Sequence, residues 1–453
     1  SSRRRHTRYI SVTGVQTCAL PIWVGVVARL GSGEVLGEMS FVDKAPPSAT
    51  VRSAGSAEVL AIDKRRIEDR LGENAAFAGR FYKALAIFLA DRLRAAGALI
   101  VGKANMHEIG INVTGLNPHW GTTRNPYDDG CHTGGSSSGP ATAVAGGLVP
   151  IALGADGGGS IRVPSAFCGL VGIKPTFGRI SEAGAPPLVW SVAYLGPIAG
   201  TVRDCAAAYA IMAGDDTLDP HSRNHPSVSV DVAPPRSLKG VRMGVYWPWF
   251  RHAAPEIVAR CEALLRDFEA HGATLVEVEV PDLDLQRMAH VAAITGEMSA
   301  AMTTYHPSRR TEFSLDARVN LAVARSLTAG EFVTAARART RAMAHWRNVF
   351  RDVHVMVTPA TGRTAPRIDP SWMPLGGSDL AMTTDVMRFA FPANFTGHPA
   401  ISFPAGYDGG GLPIGMQVIG RPWSERLLFR VAAMAEQVVE RRAPKRWYPL
   451  LDA

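Results

Sequence analysis

Residues Thr133–Pro164 read TGGSSSGPATAVAGGLVPIALGADGGGSIRVP, two Gly/Ser-rich loops flanking one apolar segment. Glycines cluster where a backbone takes unusual dihedrals or approaches another group closely. Successive unhindered N–H groups at Gly157, Gly158 and Gly159, next to Ser160, can form an anion-holding nest. If Ser160 attacks a carbonyl, those N–H groups are placed to hold the developing oxyanion. The same composition also fits a pair of tight turns.

Outward from this stretch, strands alternate with helices from Ala95 onward, which predicts an α/β domain with a largely buried sheet. A strand at Val241–Trp247 is followed by a helix with Pro255 in its first turn and Gly272 at its close, then a strand at Thr274–Val280. Thr201 and Asp204 stand at capping-box spacing before a helix through Ala206–Ala213 that stops at Gly214. Further strands are predicted at Val355–Thr358, Ala400–Phe403 and Met416–Ile419, with a closing helix from about Glu425 to Arg441. The glycine- and proline-broken stretch Val144–Ala155 reads as buried core and is too short to span a membrane. Before Ala95 the grammar differs: strand-like Val24–Leu30, the turn Gly31-Ser32-Gly33, further short apolar runs, and helical spacing over Phe77–Leu93.

The 453 residues are 46 % apolar and 19 % charged, enough for one large enzyme domain and a smaller one. The net charge of +8 is uneven: residues 1–94 hold 15 basic against 9 acidic side chains, the rest 33 against 31. A nearly balanced main portion gives no reason to expect nucleic acid or an anionic membrane as partner. Cys18, Cys131, Cys168, Cys205 and Cys261 are widely spaced with no C-x-x-C pair, so neither a disulfide framework nor a zinc site is predicted and a reducing cytoplasm is expected. The first 22 residues, with Arg3, Arg4, Arg5 and Arg8 before an apolar stretch, imitate a signal peptide. They look more like a translated sequencing-adapter read-through, and are read as a non-native segment.

GGSSSG followed by GADGGGSIRVPSAFCGLVGIKPTFGR resembles the amidase signature family, and the resemblance runs from about Ala95 to Tyr448. GKANMHE (102–108), GTTRNPYD (121–128), NFTGHPAISFPAG (394–406) and LPIGMQVIGRP (412–422) support it. TGGSSSGPA, ALGADGGGSIR and NPHWGTTRNP look most like the fatty-acid-amide-hydrolase-like branch. The resemblance implies a large mixed twisted sheet covered by helices on both faces, and hydrolysis of carboxylic amides, including N-acyl amines, to an acid plus amine or ammonia. It implies a Ser–cis-Ser–Lys triad with Ser160 as nucleophile and Ser136, 24 residues earlier, as the bridging serine held by a cis peptide. Gly157, Gly158 and Gly159, with Ser160 itself, match the family's oxyanion-hole backbone, Arg162 braces the loop, and Ser137 and Ser138 fit either hydrogen-bonded support or an ordinary surface turn. No metal or organic cofactor is implied. The family's lysine lies in a strand motif like P-V-x-x-K-D before GKANM, and nothing after Ala95 carries that motif, so the lysine is not identified. Lys103 and Lys174 sit in motifs the family has in addition to its base and are read as structural; Lys239 and Lys445 are the only others after Ala95, and Lys64 has a superficial likeness alone.

Residues 23–94 resemble the C-terminal half of a cyclic-nucleotide-binding domain, with GEMS at Gly37–Ser40 and SATV at Ser48–Val51. In that resemblance Glu38 would hold a ribose hydroxyl, but Pro47 stands where an Arg grips the phosphate and half the barrel is lacking. A truncated β-roll-like fragment plus helix, not binding nucleotide, is expected.

Three other readings compete. Gly135-Ser136-Ser137-Ser138-Gly139 satisfies the G-x-S-x-G pattern of a nucleophile elbow with Ser137 as nucleophile, though turn-rich NPYDDGCHT precedes it instead of a strand. The chain could be a non-catalytic cyclic-nucleotide-linked sensor, or the amidase subunit of a tRNA-dependent amidotransferase. His107, His119 and His132 flank the serine loops in loop-like segments and are read as solvated or structural. Leu188–Leu195 fits either an acyl pocket or ordinary core. The expected partner is a small-molecule amide, with a homodimer left open and neither nucleic acid nor a stable membrane anchor expected.

Overall fold

The computed structural model describes residues 96–448 apart from 187 and 231–232, together with five short strands between residues 10 and 58. The chain parts into two compact units, Ser1–Lys103 and Ala104–Ala453, a boundary somewhat later than Ala95. In the first unit, Val15–Cys18 pairs antiparallel with both Val26–Leu30 and Thr50–Ser53, and Ile10–Val12 pairs with Ala57–Glu58. The readings that rest on Glu38, Pro47, Lys64, the helix at Phe77–Leu93 and most of residues 1–22 lie outside the described residues.

The second unit is built on an eight-stranded mixed sheet. Its strands are β1 (Ile151–Ala155), β2 (Val171–Lys174), β3 (Leu195–Ala199), β4 (Arg242–Val245), β5 (Thr274–Glu277), β6 (Val355–Pro359), β7 (Ala400–Tyr407) and β8 (Pro413–Gly420). In space they run β5-β4-β6-β8-β7-β2-β3-β1. β5, β4 and β6 are parallel to one another, and every other neighbouring pair is antiparallel. All eight residues of β8 are buried, the pattern of a strand covered on both faces.

Two glycines of β8 show how the covering is achieved. Gly415 and Gly420 are five positions apart and therefore face opposite sides of the sheet. A Cβ at Gly415 would lie 2.6 Å from Ala166 Cβ, on helix α2 (Arg162–Phe167); one at Gly420 would lie 3.0 Å from Leu428 Cδ2, on the closing helix Glu425–Val438. One helix per face thus sits directly on the backbone of the central strand. α2 and α1 (Ser138–Ala145) flank β1, so both Gly/Ser-rich loops are bounded by short buried helices.

The predicted elements correspond closely to those observed. The Thr201 hydroxyl caps helix α3 (Val202–Met212) by accepting the Asp204 N–H at 3.1 Å. Pro255 opens α4 (Pro255–Ala270), and Gly272, at φ +94, follows its end. Val144–Ala155 departs from its expected burial: Leu148 is exposed in the turn after α1, and Ile151–Leu153 are half-buried because β1 is an edge strand. Three helices were not foreseen: α5 (Leu283–Ala301), α6 (Leu315–Ser326) and α7 (Ala329–Asp352). α5 packs against both of the others, and Trp346 Nε1 of α7 donates to Gln286 Oε1 of α5 at 3.0 Å. α7 starts with a full capping box, Thr328 to Glu331. No helix among the described residues is long and apolar enough to cross a membrane.

Candidate active site

The first serine loop is shaped by close approaches. Gly134 lies at φ +76 with Pro164 Cα only 2.9 Å from where its Cβ would stand, so a side chain is barred by both conformation and space. The Gly135–Ser136 peptide is cis. The Ser136 carbonyl accepts the His107 N–H at 3.0 Å, and the Ser137 N–H donates to the Ser160 carbonyl at 3.2 Å, tying the two serine loops together.

The second loop is organised by Asp156. Its Oδ1 accepts Gly159 N–H at 2.6 Å and Arg162 Nη2 at 2.9 Å; its Oδ2 accepts Ile161 N–H at 3.1 Å and Arg162 Nε at 3.0 Å. Arg162 continues to the Ala390 carbonyl at 2.9 Å and to the side chains of Asn394 and Gln417. Gln417 lies on β8, so the network reaches the middle of the sheet. Burial alone would raise the Asp156 carboxyl, but the Arg162 guanidinium and the bonds from Gly159 and Asn394 outweigh it and hold the group well below the usual carboxylate range. Arg162 is thereby a structural brace, as expected.

The three glycines divide in role. The N–H groups of Gly157, Gly158 and Ser160 make no hydrogen bond among the described residues, whereas that of Gly159 is spent on Asp156. The expectation that Gly159 donates to an oxyanion is corrected accordingly. Its contribution is conformational, at φ +116 with Ala390 Cβ 2.8 Å from its Cβ position. Ile294 Cδ1 of α5 stands 3.1 Å from the Cβ position of Gly157, and Met387 Cε 3.0 Å from that of Gly158, so apolar side chains border the loop.

Ser160 is 6 % exposed, and neither its Oγ nor that of Ser136 makes a hydrogen bond among the described residues. Ser137 is differently placed. Its Oγ accepts Ala155 N–H at 3.1 Å and donates to Ala155 O at 3.2 Å, and no strand precedes it, so the nucleophile-elbow geometry is not formed. Ser138 Oγ is buried with no partner among the described residues, so no supporting hydrogen bond from its side chain is observed.

No lysine of the second unit reaches the serines. Lys174 is buried, donates to Pro175 O at 2.7 Å and lies 3.5 Å from the Tyr194 ring centre, and burial pushes its pKa well below the ordinary value. Lys239 and Lys445 are exposed. Lys103 belongs to the first unit. The histidines are committed elsewhere: His107 lies 3.2 Å from Thr114 Oγ1 and 3.4 Å from Asp316 Oδ2, His132 meets Thr114 O at 3.1 Å, and His119 pairs with Glu108 at 2.8 Å. Val189 and Val192 are buried in a cluster with Met298 and Leu321, bordered by Ile294, which places much of Leu188–Leu195 in the core. A cavity of about 320 Å³ lined by His132, Arg363, Trp372, Ser378, Asp379 and Met382 contains neither serine. Among the described residues no group of three His, Cys, Asp or Glu side chains is placed to hold a metal ion.

The model of the amidase family matches residues 86–429. A fatty acid amide hydrolase of Medicago truncatula is 43 % identical over 373 residues, covering 80 % of this chain and 61 % of the relative, so the chain spans about three fifths of that protein's length. A glutamyl-tRNA(Gln) amidotransferase subunit of Symbiobacterium thermophilum is 33 % identical, covering 77 % of this chain and 76 % of the relative. A solved structure described as a vestigial complex bearing on the origins of an s-triazine catabolic enzyme matches with a TM-score of 0.72 at 32 % identity, over 78 % of this chain and 77 % of the other.

Proposed function

Because the chain belongs to the amidase family, we propose that it hydrolyses small-molecule carboxylic amides through an acyl-enzyme on Ser160. Ser136 relays the proton of Ser160 toward a base, Ser160 Oγ attacks the amide carbon, the protonated amine leaves, and water frees the acid. The observation that carries this reading is the trio of N–H groups at Gly157, Gly158 and Ser160 that have no partner among the described residues, fixed by the Asp156–Arg162 network around the serine. Preorganised donors of this kind stabilise a developing oxyanion without reorganisation. The base is not identified; the lysines of the second unit do not supply it. The apolar border at Ile294 and Met387 and the likeness to a fatty acid amide hydrolase favour N-acyl amines as substrates.

The test is labelling of the full chain with a fluorophosphonate probe, followed by peptide mapping. Label on Ser160, lost in Ser160→Ala, is expected; label kept in that variant but lost in Ser137→Ala would transfer the role. The likeness to an amidotransferase subunit supports a second reading, in which the chain is the amidase subunit of a tRNA-dependent amidotransferase and partner subunits co-purify with it.

A further inference from the structure

Each peptide unit of the Asp156–Ser160 loop is pinned by one bond. The Asp156 carbonyl accepts Asn394 Nδ2 at 2.6 Å, the Gly157 carbonyl accepts His290 Nε2 at 2.8 Å, Gly159 N–H donates to Asp156 Oδ1 at 2.6 Å, and the Gly159 carbonyl accepts Val163 N–H at 2.7 Å. In a trans peptide the C=O and the following N–H point in opposite directions, so pinning one aims the other. Asn394 thus aims the Gly157 N–H, His290 the Gly158 N–H, and Val163 the Ser160 N–H.

Two of these pins lie within the loop and α2, and Asn394 is part of the Asp156–Arg162 network. His290 alone comes from α5, 133 residues away in sequence. It also holds one of the loop's two Gly–Gly peptides, which have no Cβ on either side to resist rotation; the other, Gly158–Gly159, is held from within the loop by Asp156. A carbonyl can only accept, so Nε2 of His290 carries the hydrogen. The ring is 1 % exposed and stands edge-on to Phe395, with centroids 6.1 Å apart at 89°. Burial lowers its pKa to about 4, so it is neutral at neutral pH, and Nε2 remains a donor in either protonation state.

We propose that His290 is a positioning residue for the reaction: by holding the Gly157 carbonyl toward α5 it presents the Gly158 N–H as an oxyanion donor. The inference rests on Ser160 being the nucleophile. In the full chain, His290→Phe keeps a flat ring and removes the donor, while His290→Gln keeps a donor. The readouts are the fluorophosphonate labelling rate and the hydrolysis of a 4-nitrophenyl acyl ester. Losing one oxyanion donor predicts a fall of about 10²-fold in labelling rate and kcat in His290→Phe, with KM nearly unchanged and a substantial recovery in His290→Gln. Wild-type labelling in His290→Phe, or equal losses in both variants, would overturn the proposal. A crystal structure of His290→Phe is read independently of turnover: the Gly157 carbonyl should have turned from α5, and finding it in place would refute the inference. Label surviving in Ser160→Ala would instead sink the nucleophile assignment, which separates the two failures.

Discussion

Arg162 grips both carboxylate oxygens of Asp156, Nη2 on Oδ1 at 2.9 Å and Nε on Oδ2 at 3.0 Å, with both side chains wholly out of solvent. The same two oxygens take the N–H groups of Gly159 and Ile161, on either side of Ser160. Removing one partner of a buried, bonded ion pair strands the other charge and costs about 3–5 kcal/mol. Arg162→Ala and Asp156→Ala should therefore each lower the unfolding free energy by that order, seen as a lower midpoint of chemical unfolding, with labelling of Ser160 abolished under conditions where the variants remain folded. A variant that keeps both midpoint and labelling would show that the pair does not organise the loop.

Gly159→Ala tests the conformational role left to that glycine. At φ +116, with Ala390 Cβ 2.8 Å from the new methyl group, the substitution should strain the loop by about 1–3 kcal/mol and displace the neighbouring donors. Labelling should fall by about 10²-fold, the loss of one donor. Gly200→Ala, with nothing within 4 Å of its Cβ position, serves as the control and should behave as wild type.

Ser137 separates support from chemistry. Its hydroxyl bridges both backbone groups of Ala155, so Ser137→Ala should destabilise by about 1–3 kcal/mol through the unpaired polar groups left behind. The label on Ser160 should persist.

The buried histidines predict acid sensitivity. Burial lowers His132 and His290 from 6.5 to about 4, so between those values the unfolded chain binds a proton that the folded chain refuses. Their contribution to stability is intact above pH 6.5 and is lost as pH falls toward 4, by roughly 3 kcal/mol for each at most. Unfolding midpoints measured across that window should drop steeply, and His132→Gln should flatten the slope. A midpoint independent of pH there would show that these rings are not neutral in the fold.

Much of the fold was legible because its signals are local. Thr201 with Asp204, Pro255 and Gly272 mark helix ends through bonds and dihedrals within a few residues. The start of α5 carries no such signal: Asp282 sits there in the left-handed region at φ 59 with no side-chain cap. Gly159's commitment to Asp156 had a readable cue, since an aspartate often bonds N–H groups two or three residues on. The bond from His290 to Gly157 had none, because topology alone brings α5 to the loop.

All six residues of α2 are buried between the serine loop and β7 and β8 at the middle of the sheet. Helices in such positions open only with the whole molecule, not by fraying. The backbone amides of Val163 and of residues 165–168, Pro164 having none, should therefore exchange with deuterium through global unfolding alone. In a denaturant series, the capacity to react with a fluorophosphonate should vanish at the same concentration at which the sheet melts, since the nucleophile has no reservoir of partly open states.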